Sequence, residues 1–178
     1  VIDPTTGAVL MDRVYIESTA AYQHARVVCV GNTAYCFYGG HHTSNFYCST
    51  LDLTNVTNGW ASRTTVASNI QNAGAVYDVC TNGTHIFAVY QTTTGATSIT
   101  ALKLNTSLST VSSVTSAEST TGSSYTITAL SCCLNTAGAK LFLAWGYTQT
   151  TPLERTRMSR VDVSGFTEDV APVTIYTT

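Results

Sequence analysis

Gly83-Thr84-His85-Ile86-Phe87-Ala88-Val89-Tyr90 decides how this chain folds, because its outline occurs three times. Upstream it lines up with Gly31-Asn32-Thr33-Ala34-Tyr35-Cys36-Phe37-Tyr38, and downstream with Gly138-Ala139-Lys140-Leu141-Phe142-Leu143-Ala144-Trp145. Each copy opens on Gly and closes on an aromatic residue. The spacing, about 52 and then about 55 residues, lies in the range where repeats build solenoids, propellers or arrays. An apolar run precedes each Gly: Ala25 to Val30, Ala75 to Cys80 and Ile127 to Leu134. Gly31, Gly83 and Gly138 therefore have a structural role as hairpin turns between a first and a second strand, Asn82-Gly83 being the strongest signal.

A third, less apolar strand follows in each unit: Asn45 to Leu53, Thr97 to Leu104 and Arg155 to Val163. A large apolar residue then opens a fourth segment, Trp60, Leu108 or Phe166, with further turns expected at Gly39-Gly40, Asn58-Gly59, Gly95 and Ser164-Gly165. Four antiparallel strands per unit of this length is the arithmetic of a β-propeller blade. The expected fold class is all-β and propeller-like, with about three four-stranded blades at 25–72, 73–124 and 125–178. Residues 1–24 read as a linker or as outer strand of a preceding blade, because Val9 to Glu17 alternates. No stretch sustains a helical period with caps. Rings need roughly four to eight blades, so the expectation is that these three belong to a larger ring, the alternative being an open stack. A chain that begins at Val1 without an initiator Met fits a processed product or a piece of something longer.

Composition agrees with strands. Only 10% of the 178 residues are charged, net charge is −2, and about 50 are Ser or Thr, against about 25% charged in an average soluble domain. β-Branched Thr favours strands, and Ser and Thr compete with the helix backbone for hydrogen bonds. Two lysines and six arginines do not make the basic field that nucleic acid requires, so no specific nucleic-acid partner is expected. No apolar run approaches the roughly 18 residues of a membrane-spanning helix, and none is expected to contact a membrane.

The six cysteines, Cys29, Cys36, Cys48, Cys80, Cys132 and Cys133, form no C-x-x-C knuckle and have no His at zinc spacing. Most sit in apolar runs, where a reduced thiol behaves as a small hydrophobe. Neither metal nor cofactor is expected, and free core thiols point to assembly in a reducing compartment. Disulfides are the alternative, for which the adjacent Cys132 and Cys133 would be an awkward half because neighbouring strand residues face opposite sides. The sequons at Asn55, Asn82 and Asn105 are expected by chance in a Thr-rich chain.

The blade pattern, in the form Arg26-Val27-Val28-Cys29-Val30 through Tyr38 and Tyr77-Asp78-Val79-Cys80-Thr81 through Tyr90, resembles the propeller-type repeats of large tail proteins of tailed bacteriophages. That resemblance implies a non-enzymatic virion protein of the tail nozzle, hub or fibre type, assembled in the bacterial cytoplasm and located in the virion. Its implied partners are other copies in a symmetric assembly, neighbouring tail proteins and a host surface glycan. The Gly-His and Trp-Asp dipeptides of WD40 blades are missing, and Thr50-Leu51-Asp52 to Trp60 lacks the Ser-x-Asp-x-Gly core of the sialidase box.

Two other functions stay open: a carbohydrate-binding propeller of lectin or adhesin type and, third, a sialidase-like glycoside hydrolase. The hydrolase needs two carboxylates flanking a substrate, for which Asp12, Asp52, Asp78, Glu154 and Asp162 are the candidates. Asp78 alone lies within an apolar strand, where a carboxylate needs a partner. Repeat register places it where Arg26 stands in the first unit and Cys133 in the third, so an Arg26–Asp78 pair between neighbouring blades is expected. No catalytic residue is assigned. His41-His42 reads as an exposed turn. Arg155 and Arg157 share a strand face and are binding candidates for a phosphate, a glycan carboxylate or an acidic subunit, with a solvated outer edge as the alternative. Tyr22 and Tyr147 are the aromatic binding candidates. Tyr38, Tyr90 and Trp145 recur at equivalent positions and are expected to pack between blades.

Overall fold

The computed structural model describes residues 22–40, 44–68, 70, 76–92, 98–117, 126–148 and 154–177. These form three four-stranded antiparallel sheets, each a meander in chain order. The first contains β1 (Tyr22–Val30), β2 (Thr33–Gly40), β3 (Phe46–Asp52) and β4 (Thr64–Ala67). The second contains β5 (Tyr77–Thr81), β6 (Ile86–Gln91), β7 (Ser98–Leu104) and β8 (Thr110–Ala117). The third contains β9 (Thr126–Leu134), β10 (Lys140–Thr148), β11 (Glu154–Asp162) and β12 (Thr167–Thr177). One short 3-10 turn, Val56–Asn58, is the helical element among the described residues. The chain is all-β and propeller-like, and the three sheets do not close a ring. Val9 to Glu17, Gly95 and His41-His42 lie outside the described residues.

The sheets stack face to face, with β1 beside β5 and β5 beside β9. Period-2 alternation assigns the two faces of β6 to different neighbours. Ile86, Ala88 and Tyr90 enter the core shared with Tyr35, Phe37 and Phe46 of the first sheet. Phe87 and Val89 enter the core shared with Leu141, Leu143 and Trp145 of the third. Every residue of β6 is consequently buried, which explains a continuous apolar run in place of an alternating one. Tyr90 and Trp145 pack between sheets as the repeat requires. The same expectation does not hold for Tyr38 among the described sheets: it is buried with Cys36 and Tyr47 of its own sheet, on the face turned away from the second, and Trp60 packs against this group.

The hairpin glycines all take left-handed backbone, with φ of 55° at Gly31, 83° at Gly83 and 66° at Gly138. Their loops differ in length. Val30 pairs with Thr33 across a two-residue turn, whereas Asn82 and Asn135 open longer loops. The Asn82 side-chain oxygen accepts from the N–H groups of Thr84 and His85 at 3.1 and 2.8 Å. That of Asn135 accepts from Ala139 and Lys140, both at 2.9 Å. Asn thus supplies the bond that a tighter turn makes through its backbone.

Two sequence expectations need correction. Gly39 and Gly40 are not a turn: both lie in β2, where Gly39 pairs with Phe46 and Gln23. Leu108 and Phe166 do not open the fourth strands but stand in the turns before them, with φ of 63° and 49°. The third strand of each sheet ends in a side-chain-capped turn. Asp52 accepts from Thr54 at 2.8 Å, Asn105 from Ser107 and Ser109 at 3.0 Å, and Asp162 from Ser164 and Gly165 at 3.0 Å. In the second and third sheets that turn throws its apolar side chain back onto the preceding sheet. Leu108 packs against the core around Tyr35 and Phe37, and Phe166 stacks on Phe87 of β6 at a centroid distance of 6.1 Å. A left-handed non-glycine residue costs on the order of 1 kcal/mol or more, which burial of these side chains offsets.

Phe166→Ala should remove this wedge between the second and third sheets at a cost of about 3–5 kcal/mol. Urea unfolding followed by far-UV circular dichroism measures it; a loss below about 1 kcal/mol would show that the turn holds without its side chain.

Candidate functional site

The first strand of each sheet is an edge strand, and an edge strand leaves backbone N–H groups without ladder partners. Asp78, in the middle of β5, uses its carboxylate to tie three such strands together. One oxygen accepts from Arg26 Nε of β1 at 3.1 Å. The other accepts from the Cys132 N–H of β9 at 2.9 Å and from Ser131 Oγ at 3.2 Å. The Asp78 side chain is 17% exposed and that of Arg26 45%. Water therefore screens the ion pair more than the backbone bond. The Arg26–Asp78 contact crosses 52 residues of sequence. Its second half was not foreseen, since an amide donor carries no signature in the sequence.

A second charged group lies on the face of the third sheet turned away from the second. Lys140 Nζ is 2.6 Å from both Asp162 and Asp169, and Arg160 Nε is 3.0 Å from Asp169. Cross-strand register opposes Lys140 to Asp162. Hydrogen bonds from Lys140, Ser164 and Gly165 hold the Asp162 carboxyl below its usual range, and Arg160 with Lys140 does the same for Asp169. Asp52 is lowered by its Thr54 bonds. A general acid in a glycosidase needs a shift in the opposite direction. Asp12 and the Glu154 side chain lie outside the described residues.

The arginines Arg155 and Arg157 do share a face, but β11 is an interior strand of its sheet, not a solvated outer edge. Register sets them opposite Tyr147 and Trp145, the residues that pack toward the second sheet. Both are half-buried, and Arg157 Nη2 donates to the Pro172 carbonyl at 3.0 Å. Tyr147 is 3% exposed. A sugar-stacking ring must be accessible, so the expectation of a surface role for Tyr147 does not hold: its position in the interior core decides otherwise. Tyr22 begins β1, but its side chain lies outside the described residues.

Two clefts flank the Asp78 tie. One, of about 260 Å³, is lined by His24, Arg26, Val76, Tyr77, Thr128, Ala129 and Leu130. His24 stands there with φ of 56°, at a bulge between Gln23 and Ala25. Burial pushes the Tyr77 phenol up to about 12, and its oxygen accepts the Gly39 N–H at 3.3 Å. The other cleft opens beside the hairpins of the second and third sheets. All six cysteines are thiols, with Cys36, Cys48 and Cys132 buried and Cys29 and Cys133 exposed. Burial pushes the Cys36 thiol up to about 11.

No protein-family model matches this chain, and no curated protein matches it.

Asp78→Ala should cost about 1–3 kcal/mol, because it strands the Cys132 amide as well as Arg26. Arg26→Met should cost less than about 1 kcal/mol, and that smaller loss should shrink in 1 M NaCl. Chemical denaturation of both variants and the double variant tests the ordering; equal losses would assign the tie to the ion pair alone. Acid should weaken the third sheet. Asp162 and Asp169 stay ionised in the folded state below the roughly 4 at which unfolded carboxylates take up protons. Their contribution is present above that value and lost as pH falls through the folded values. A plot of Tm against pH should fall below about pH 4 and be shallower in Lys140→Met; parallel plots would remove Lys140 from the effect.

Proposed function

We propose that this chain is a non-enzymatic assembly module, a partial β-propeller of a phage tail, whose role is to join sheets of one subunit to those beside it. One observation carries the reading: inner-strand positions that are buried inside the stack are exposed at its ends. Counting back from the hairpin glycines, Ala25 and Val27 correspond to Tyr77 and Val79. Tyr77 and Val79 meet the preceding sheet and are 3% and 8% exposed, whereas Val27 is 56% exposed. At the other end, Cys133 holds the position of Asp78 and is exposed. At the Val27 end the first-strand row at Val27 and Cys29 is open while Cys36, Tyr38 and Tyr47 behind it are buried, so another sheet would join along β1, by the first-strand contacts the stack already uses internally.

The phage assignment rests on the resemblance of the repeats, and the sparse charge suits it, since what the described chain has is largely engaged in ties and turn caps. Host attachment would follow from a position at the tail tip. The carbohydrate-binding alternative has the cleft at His24 and Arg26 in its favour.

Electron microscopy of the purified protein and of tails containing it should show a ring of identical copies around an axis, and Val27→Asp should reduce ring formation. Isolated three-sheet particles at every concentration, unchanged by Val27→Asp, would count against assembly. Reproducible glycan-array hits abolished by Arg26→Ala would replace it with the lectin reading.

A further inference from the structure

The contact between β5 and β9 gathers three cysteines that the assembly reading does not use. Cys80 lies two residues beyond Asp78 on the same face of β5 and packs into the core between the second and third sheets. Cys132 belongs to that same core, held there by the bond from its amide to Asp78 at 2.9 Å. Cys80, Cys132 and Cys133 line one open cleft of about 530 Å³ beside the Asn82 and Asn135 loops. Cys132 is 8% exposed, Cys80 is half-buried and Cys133 is exposed. Cys80 and Cys132 pack into one core across the β5–β9 contact, within reach of a thiol–thiol hydrogen bond. Cys133, the next residue along β9, is exposed and by strand alternation lies on the other side of the strand from Cys132.

We propose that Cys80 and Cys132 form a reversible redox pair, closing a disulfide that links the second sheet to the third when a low-molecular-weight disulfide such as oxidised glutathione is present. The Cys80 sulfur, reached from the cleft, loses its proton to water and attacks one sulfur of glutathione disulfide. The glutathione S–S bond breaks, and the first glutathione leaves as a thiolate that takes up a proton. Cys132 then loses its proton and attacks the Cys80 sulfur of the mixed disulfide, expelling the second glutathione. Two protein thiols are oxidised, one external disulfide is reduced to two thiols, and no other electron acceptor is needed. The neighbouring Cys80 thiol and burial both hold the Cys132 thiol well above its ordinary value, so Cys132 rests protonated and acts second, as the resolving thiol. In the oxidised protein the link spans two sheets and cross-links a loop of about 50 residues in the unfolded chain, raising Tm by about 5 °C or more. The pair works on a single copy of the chain, and its success or failure does not depend on ring formation or on the phage assignment.

The test incubates the folded protein with oxidised glutathione, blocks remaining thiols with iodoacetamide and digests with trypsin without reductant. Cleavage after Arg63, Lys103 and Lys140 places Cys80 in the peptide 64–103 and both Cys132 and Cys133 in 104–140. The expected result is a disulfide joining these two peptides, reversed by dithiothreitol, present in Cys133→Ser and absent in Cys132→Ser. Wild-type mapping needs no variant, and far-UV circular dichroism verifies that the two serine variants are folded. Unjoined peptides carrying glutathione on Cys133 alone, or joined peptides that persist in Cys132→Ser and vanish in Cys133→Ser, would overturn the pair.

Discussion

Two-sided burial of β6 is the constraint on which the rest of the fold depends. A strand whose six residues are all buried needs a sheet on each side, and alternate side chains commit it to two different cores. The first and third sheets occupy those positions because their own second strands carry the same aromatic-rich repeat. Tyr35 and Phe37 answer Ile86, Ala88 and Tyr90 on one side. Leu141, Leu143 and Trp145 answer Phe87 and Val89 on the other. Apolar area removed from water stabilises such a stack without specifying the register of one sheet on the next.

Registration comes from two polar devices and one apolar one. Asp78 joins β1, β5 and β9 at a single carboxylate, so that sliding any of the three strands would break a directional bond. The capped turns at Asn105 and Asp162 hold Leu108 and Phe166 in left-handed conformations that aim them at the neighbouring sheet. These features use charge and hydroxyls to register strands and sheets on one another. They also explain how a chain with 10% charged residues specifies one stacking arrangement.

Much of this was legible in the residues. The Gly-to-aromatic repeat located all three first hairpins, and the pairing of Arg26 with Asp78 follows from counting positions back from Gly31 and Gly83. Less legible were the features that depend on local chain direction. Gly39-Gly40 has a turn composition, yet it continues β2 because Gly39 finds partners in both β1 and β3. Tyr147 reads as a strand-end aromatic, yet alternation along β10 sends it inward with Trp145. Arg155 and Arg157 read as an exposed cluster, but the fourth strand, β12, covers β11 and makes it an interior strand.

The sequence by itself determined the strand-rich class, the four-strand unit and its three repetitions, because these rest on local properties: β-branched and aromatic runs, turn glycines and a fixed spacing. Tertiary structure alone decided which groups meet across the sheets. The amide of Cys132 on Asp78, the Lys140–Asp162–Asp169 group and the approach of Cys80 to Cys132 each join residues distant in sequence through strand register and sheet stacking. Their chemistry is set by distance and burial, and neither quantity is a property of the residue alone.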